Sequence, residues 1–186
     1  MNAPLVISLS PRAGGNSDQI AALFARSLGL APNPVFLRDY VLEPCTGCGA
    51  CAEDGRCRFG ADGAEELFTR LDSTCGLVLT APVYFYHLPS QAKAWIDRAQ
   101  SRYMARLRGL RPPGHVRPAY VVLVAGRKRG ENLFAGILPT LRLFLEVFDL
   151  RMEQTLCLRG IDEVEDFSRD RAAMDAVRDL ARSSGW

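Results

Sequence analysis

Near its amino terminus the chain reads Pro4-Leu-Val-Ile-Ser-Leu-Ser-Pro-Arg-Ala-Gly-Gly-Asn-Ser17. The first part is a short apolar run closed by Ser10 and Pro11, which is typical of a buried β-strand. A glycine-bearing loop follows, and Ser17 is a residue type that can cap the helix behind it. That helix has one apolar face and is expected to end near Gly29. The stretch therefore predicts the opening of a fold in which strands and helices alternate.

The rest of the chain continues this alternation of strand and helix. Further short strands are predicted at 34–37, 76–81, 119–125 and 151–158, and helices at 63–71, 89–107, 131–148 and 165–183. Strands 1, 3 and 4 are continuous apolar runs, which is typical of a parallel sheet covered by helices on both faces. The sequence therefore predicts an α/β fold with a doubly wound, five-stranded parallel sheet. Such sheets bind ligands beyond the carboxyl ends of their strands, so function is expected in the loops after strands 1, 3 and 4.

The composition indicates an ordinary globular protein. The chain has 186 residues, of which 48% are hydrophobic and 24% charged, and its formal net charge is +2. These values exclude a disordered chain and argue against electrostatic capture of nucleic acid as the main activity. No apolar run approaches the roughly 20 residues that span a bilayer, and residues 1–10 lack a signal-peptide pattern. We therefore expect a single domain over 1–186, located in the cytoplasm, with no membrane or nucleic-acid partner.

The loop between the first strand and the first helix has the composition of a phosphate site. Backbone N–H groups of such a loop, with a helix amino terminus behind them, attract an anion. The loop lacks the ending of a P-loop and the dinucleotide fingerprint, so a phosphate monoester fits it better than a di- or triphosphate. An ordinary strand–helix turn is the alternative. The residues expected to contribute are Ser10, Arg12, Gly14, Gly15, Asn16 and Ser17.

Three consecutive aromatic residues follow the third strand. Tyr84, Phe85 and Tyr86 lie in the loop Ala81-Pro-Val-Tyr-Phe-Tyr-His-Leu-Pro89 and match neither strand nor helix spacing. Aromatic side chains can flank a planar ring, while N–H groups of the loop bond the carbonyls of that ring. Packing against a neighbouring subunit is the alternative interpretation, and the two roles are compatible.

Four of the six cysteines fall within an irregular segment at about 41–62, after the second strand. Their compact spacing is that of a cubane [4Fe–4S] site, in which each iron takes one thiolate. A zinc site usually separates two Cys-x2-Cys pairs by a longer stretch, yet zinc and reduced or disulfide-linked thiols remain open. Because the segment leaves the carboxyl end of a strand, we expect it at the same sheet edge as the two loops above. The candidate ligands are Cys45, Cys48, Cys51 and Cys57, whereas Cys75 and Cys157 are expected to be inert core residues.

Together these motifs resemble those of the flavodoxin-like NAD(P)H-dependent FMN reductase family, and more narrowly its iron–sulfur flavoprotein branch. The resemblance rests on Ser10-Pro-Arg-x-Gly-Gly-Asn-Ser17 after a strand, on x-Pro82-Val-Tyr84 after another, and on Lys93-x-x-x-Asp97-Arg98. It extends over roughly residues 3–160. It implies a flavodoxin-like fold that binds FMN.

The resemblance also implies how FMN would be held. The 10–17 loop would take the phosphate, and no side chain is expected to be catalytic, because the flavin carries out the chemistry. Pro82, Val83, Tyr84, Phe85 and Tyr86 would hold the isoalloxazine, and Ala125, Gly126 and Arg127 would close the third side.

The leading functional hypothesis is an FMN-dependent oxidoreductase that passes electrons between a reduced donor and an acceptor, together with a [4Fe–4S] cluster. One alternative is an NAD(P)H-dependent FMN or quinone reductase without a cluster, and another is a non-enzymatic electron carrier or redox sensor. The donor would be NAD(P)H or a ferredoxin-like protein. A flavin held at strand ends is open on one side, so a homodimer or higher homo-oligomer is expected to cover it.

Two further groups of titratable residues have simpler interpretations. Lys93, Asp97 and Arg98 are expected to form a solvated ion pair at i, i+4 spacing on a helix surface. His87 is a candidate proton donor beside a ring, although a loop histidine is more often a surface residue.

Overall fold

The computed structural model describes residues 3–31 and 33–186. Its five-stranded sheet is parallel throughout and has the strand order β2-β1-β3-β4-β5. This order is the flavodoxin-like one, so the predicted doubly wound parallel sheet is confirmed. The strands are β1 (Leu5–Ser8), β2 (Val35–Phe36), β3 (Leu77–Pro82), β4 (Arg117–Ala125) and β5 (Leu150–Arg159).

Helices cover both faces of the sheet. In β3, Leu77 and Leu79 face a layer built from α3, α4 and α6, whereas Val78 faces the layer built from α1 and α8. Two apolar layers explain why the central strands are continuous apolar runs and not alternating ones. The helices are α1 (Asn16–Ser27), α2 (Cys51–Asp54), α3 (Gly63–Ser73), α4 (Ser90–Arg98), α5 (Gln100–Leu107), α6 (Ile137–Val147), α7 (Asp166–Arg169) and α8 (Arg171–Ser183).

An aromatic cluster fixes α4 against the sheet. The Trp95 side chain is fully buried, and its ring centroid lies 5.9 Å from that of Phe68 on α3 and 4.9 Å from that of Phe144 on α6. Contacts between aromatic rings stabilise such a cluster beyond the area they bury. The position of α4 is therefore set by the core, which matters because the loop before this helix and the residues at its end line the two candidate sites.

Two predicted helices are each divided by one residue. The helix expected at 89–107 is interrupted at Ala99, where the N–H bonds the carbonyl three residues back. The helix expected at 165–183 is interrupted at Asp170, whose carboxylate accepts the N–H of Ala173 at 3.0 Å and so caps α8. Local capping by a side chain overrides the continuous helical pattern at this point.

The helix predicted over 131–148 is confirmed only over Ile137–Val147. The helix begins only at Ile137, and the preceding residues form turns. Pro139 therefore lies in the first turn of α6, where a missing N–H removes no hydrogen bond and no bend is needed. Within the described ranges, no helix is both long and apolar enough to cross a membrane.

The short helix α2, which carries one of the candidate ligands, packs closely against α5. Gly55 caps its carboxyl end and has a φ of 75°. A Cβ atom at this position would lie 2.6 Å from the Cβ of Ala105, so only glycine permits the approach. Gly109 has a similar φ of 69°, but a Cβ atom there would meet nothing within 4 Å.

We predict that Gly55→Ala destabilises the protein more than Gly109→Ala. Both variants place a side chain in the left-handed region, which costs about 1–2 kcal/mol. Gly55→Ala adds the clash with Ala105, and such overpacking costs about 1–3 kcal/mol more. Urea unfolding of both variants measures the difference, and equal losses would show that α2 is not seated on α5 as described.

Candidate functional site

Three of the loops that the sequence singled out meet at the carboxyl edge of the sheet. They follow β1, β3 and β4 and enclose a space that we call the strand-end cavity. The loop after β5 forms its remaining wall, although no sequence pattern pointed to it. The lining residues are Ser10, Arg12, Gly15, Asn16, Ser17, Pro82, Val83, Tyr84, Val124, Gly126, Ile161 and Asp162.

The amino terminus of α1 is open toward an anion. The cap residue is Gly15 and not Ser17 as predicted, and no side chain bonds the first N–H groups of the helix. Uncapped N–H groups at a helix start, with the positive end of the helix dipole, are the features that bind phosphate. The local geometry therefore fits the phosphate monoester that the loop composition suggested.

An ion pair between Asp18 and Arg38 stabilises this loop. The carboxylate of Asp18 accepts hydrogen bonds from the hydroxyl of Ser8 at 2.6 Å and from the N–H of Gly14 at 2.8 Å. Arg38 pairs with the same carboxylate at 2.9 Å and also donates to the Ser10 carbonyl at 3.2 Å. These contacts fix the loop before any ligand arrives. No local pattern pointed to Arg38, because it lies in the turn after β2, far along the chain from the loop it contacts.

The side chain of Asn16 is already used within the chain. Its amide nitrogen donates to the carbonyl of Glu163 at 2.9 Å, and its oxygen accepts the N–H of Phe167 at 3.3 Å. Asn16 was predicted as a donor to phosphate, but here it fastens the loop after β5 onto α1. That contact brings the exposed carboxylate of Asp162 to the cavity wall.

The aromatic loop forms a tight two-residue turn. Tyr84 and His87 exchange backbone hydrogen bonds of 2.8 and 2.9 Å, and both central residues have positive φ, 48° at Phe85 and 62° at Tyr86. Turns of this kind normally use Asn and Gly, and bulky residues at positive φ are strained. Phe85 is fully exposed at the tip. Strain of this kind is typical of functional positions, where a contact outside the turn compensates for it.

Only part of each predicted loop reaches the strand-end cavity. Tyr84 lines it, whereas Phe85 points away and the Tyr86 hydroxyl accepts a hydrogen bond from Arg127 at 3.1 Å. Ala125 is buried within β4, so Gly126 is the residue of that group that lines the cavity. Gly14 likewise lies outside it, with its N–H bonded to a side chain below the loop.

The four candidate cysteine ligands line a second space, which we call the cysteine cavity, of about 430 Å³. Its opposite wall is formed by residues 97–104, around the junction of α4 and α5. Over residues 3–31 and 33–186, no group of three or more His, Cys, Asp and Glu side chains is arranged to hold a metal ion. Four free thiols on one wall nevertheless match the donor set of a cubane, which takes one thiolate at each iron. The ligands in question are Cys45, Cys48, Cys51 and Cys57.

The electrostatics of the thiols differ along the loop. A hydrogen bond from the Ala50 backbone, assisted by Thr46 and Arg58, lowers the pKa of the Cys48 thiol. Burial raises the pKa of Cys51, and the negative charges of the other three thiolates raise it further. The four cysteines line the same cavity, and a bound cation would offset the repulsion between their thiolates.

The prediction that Arg98 belongs to a solvated ion pair is wrong. Lys93 and Asp97 do pair on the helix surface at 2.6 Å, as expected. Arg98 is buried instead and binds both carboxylate oxygens of Asp62, at 2.6 and 3.0 Å. Helical spacing could not reveal this, because Asp62 comes from a different segment. Asp62 also caps α3 by accepting the N–H groups of Ala64 and Glu65.

The electrostatics of the Arg98–Asp62 pair favour both charges. Burial opposes the charged form of each group, but the bonds between them outweigh it. The pKa of Asp62 is therefore lowered, and the pKa of Arg98 is raised with a further contribution from the Cys57 thiolate. Both groups stay charged at neutral pH.

The two cavities lie at opposite ends of α4. The aromatic loop, whose residues 82–84 line the strand-end cavity, precedes the helix. The cysteine cavity is lined by residues from Asp97 onward. Nine helical residues span about 14 Å, and the cavities have no lining residue in common. The cysteine segment does not stay at the carboxyl edge as expected, because the chain after β2 runs back along α4: Gln91 in the first turn of α4 donates to the Leu37 carbonyl, and Arg98 in its last turn donates to that of Glu43. Cys157 is also exposed on β5 and not part of the core.

A family model described as NADPH-dependent FMN reductase matches residues 4–157. The chain belongs to this family. Membership places it among FMN-dependent oxidoreductases and agrees with the resemblance carried by the 10–17 and 82–86 motifs. FMN is accordingly the cofactor that the family implies, and the uncapped helix start of the strand-end cavity has the features that a phosphate group requires.

Curated relatives indicate the branch. An iron–sulfur flavoprotein of Methanosarcina thermophila is 36% identical over 96 residues, which is 50% of each chain. An iron–sulfur flavoprotein of Methanocaldococcus jannaschii is 32% identical over 97 residues, again 50% of each. The match thus spans about half the length of these curated relatives.

Solved structures share the fold at low sequence identity. An FMN-dependent NADH-azoreductase from Bacillus anthracis, solved with FMN, has a TM-score of 0.65 at 15% identity, covering 97% of this chain and 99% of its own. A putative quinone reductase from Klebsiella pneumoniae has a TM-score of 0.63 at 17% identity, covering 98% and 83%.

We predict that Phe85→Asn stabilises the protein by about 1 kcal/mol, because asparagine tolerates the left-handed conformation that costs a bulky residue roughly 1–2 kcal/mol. Phe85→Ala is the matched control, since it also removes the exposed ring but keeps an ordinary Cβ in the strained position. Urea unfolding midpoints compare the two. If both variants gain the same stability, relief of backbone strain is not the cause of the gain.

Proposed function

We propose that the chain is an FMN-dependent oxidoreductase that passes electrons between a reduced donor and an acceptor, with FMN in the strand-end cavity and a [4Fe–4S] cluster in the cysteine cavity. The observation that carries the proposal is that four cysteines with cubane spacing line one cavity in a chain of an FMN reductase family. The names of the curated relatives support the cluster.

The bound groups would supply the redox chemistry: FMN exchanges one or two electrons and the cluster exchanges one, which links one-electron to two-electron partners. The chain itself would bind and orient these groups. The N–H groups at the start of α1 would bind the phosphate, with the Ser17 hydroxyl and the positive charge of Arg12 beside them, whereas the Ser10 hydroxyl already bonds the backbone of Arg12. The backbone at 82–84 would hold the ring, and Asp162 would face the cofactor from the wall of the same cavity.

The cysteine segment has the means to stabilise thiolate ligands. Thiols must lose their protons to bind iron, and the N–H of Ala50 and the guanidinium of Arg58 favour that form at Cys48. Glycines at 47 and 49 have φ of 65° and 76°, and a Cβ at either would meet nothing within 4 Å. The loop can therefore fold around a cluster without side chains intruding between its ligands.

We further propose that the chain forms a homodimer or higher homo-oligomer. The strand-end cavity is open on one side, and exposed apolar side chains lie beside it and along α5 and α6, among them Phe85, Leu107 and Leu143. Because the two cavities of one chain are separated by α4, a second copy is also a route by which a cluster and a flavin come together. Light scattering of the FMN-loaded protein tests this, and a monomer with full flavin affinity would contradict it.

The phosphate site is tested by comparing FMN with riboflavin, which lacks the phosphate. We expect Ser17→Ala to weaken FMN by about 1.5–3 kcal/mol for the lost bond to the charged phosphate. Riboflavin binding should stay at the wild-type level, because riboflavin has no phosphate for this hydroxyl to bind. Flavin fluorescence quenching measures both affinities, and equal weakening of the two ligands would reject the assignment of the 10–17 loop.

The cluster is tested by anaerobic purification followed by iron and acid-labile sulfide analysis. Cys→Ala changes at the four ligands should each lower the iron content, because a cubane with three thiolates is labile, whereas Cys157→Ala on exposed β5 should not. A wild-type protein with FMN but without iron would leave an NADPH-dependent flavin or quinone reductase as the function. Steady-state NADPH oxidation then distinguishes that enzyme from a carrier that needs a ferredoxin-like donor.

A further inference from the structure

Arg98 is the buried positive charge beside the cysteine cavity. Its residue is only 1% exposed, yet it lines the cavity together with all four candidate ligands. Removing a guanidinium from water is unfavourable unless its surroundings supply charge and hydrogen bonds. Arg58 also lines the cavity but is exposed, so water screens its charge far more strongly.

The guanidinium of Arg98 joins the two ends of the cysteine segment to α4. Its Nη1 donates to the carbonyl of Glu43 at 2.8 Å, just before the first candidate ligand. It also binds the carboxylate of Asp62, just after the last one. The ring of Phe59 lies under the guanidinium carbon at 4.9 Å. One side chain thus fixes the entry and the exit of the loop.

One donor of this guanidinium is left without an acceptor. Across the described part of the chain, the buried Nε–H has no hydrogen-bond partner. Buried donors rarely lack an acceptor, and each one that does calls for an explanation such as a missing ligand. The cavity beside it is lined by four sulfurs, which as thiolates around a cluster would carry negative charge and accept N–H bonds.

We propose that Arg98 positions and tunes the cluster: it holds the cysteine segment in place, donates an N–H bond to cluster sulfur, and raises the reduction potential through its buried charge. This inference rests on the proposed function. Hydrogen bonds to sulfur and nearby positive charge favour the reduced, more negative form of an iron–sulfur cluster. A purely structural clamp would hold the loop but leave the potential unchanged.

The experiment uses the full chain, reconstituted anaerobically with iron and sulfide, and follows the cluster potential by an EPR-monitored redox titration. We expect Arg98→Gln to lower the equilibrium constant for reduction of the cluster about tenfold. For a one-electron couple this is a downward shift of the reduction potential by about 59 mV. Asp62→Asn should shift the potential upward, because it removes a negative charge while asparagine still caps α3. Arg26→Gln, which removes an exposed positive charge from α1 and touches neither cavity, should match the wild type.

The outcomes separate tuning from structure. Opposite shifts in the two variants support the proposal, whereas unchanged potentials or shifts of the same sign overturn it. If Arg98→Gln loses iron while its circular dichroism and FMN content stay native, the positioning role is supported, and Asp62→Asn alone decides the tuning role. If Arg98→Gln does not fold, Arg98→Lys replaces it, and a smaller downward shift supports the proposal while no shift overturns it.

Failure of the proposed function gives a different result. A wild-type chain that takes up no iron overturns both the cluster and the role of Arg98. A wild-type chain that holds the cluster, with unshifted potentials in the variants, overturns the role of Arg98 alone.

Discussion

Burial of a parallel sheet on both faces is the constraint from which the other features follow. The central strands have no solvent-facing side, so their side chains are almost all apolar, and the two buried hydroxyls of Ser8 and Thr80 are used to hold α1. Polar groups are otherwise confined to the strand ends and to the segments that connect strands with helices. The strand-end cavity lies where β1 and β3 adjoin, with β2 and β4 outside them, and this is the point at which parallel sheets leave a crevice between diverging connections.

The helix α4 connects the core with both candidate sites. Trp95 is locked among aromatic rings of α3 and α6, which leaves the helix little freedom to shift. The aromatic loop precedes this helix, and Arg98 in the last turn of the helix holds the cysteine segment. The chain after β2 would otherwise be a long irregular connection with few apolar contacts of its own. Its order depends on one buried ion pair and on the close seat of α2 against α5.

Several unfavourable local features lie at the two sites. Phe85 and Tyr86 occupy a turn that suits Asn and Gly, Arg98 is a buried charge with an unpaired donor, and α1 begins without a side-chain cap. Each of these lowers the stability of the chain by itself, and features of this kind are typical of positions that bind a ligand or partner. At Asp62 and Asp170, by contrast, local preference and tertiary structure agree, because both cap helices by ordinary Asp geometry.

Hydrophobic periodicity and local motifs were enough to predict the parallel sheet, the flavin family and the residues of the strand-end loops, because these depend on residues adjacent in sequence. Helix boundaries at Ala99 and Ile137 were not predictable, since capping and turn contacts override propensity there. Only the tertiary structure revealed Arg38 beneath the phosphate loop, Asp162 at the cavity wall, and the pairing of Arg98 with Asp62. Each of these joins segments far apart along the chain, and no local spacing encodes such a contact. The separation of the two cavities along α4 has the same origin, since it depends on the path that the chain takes after β2.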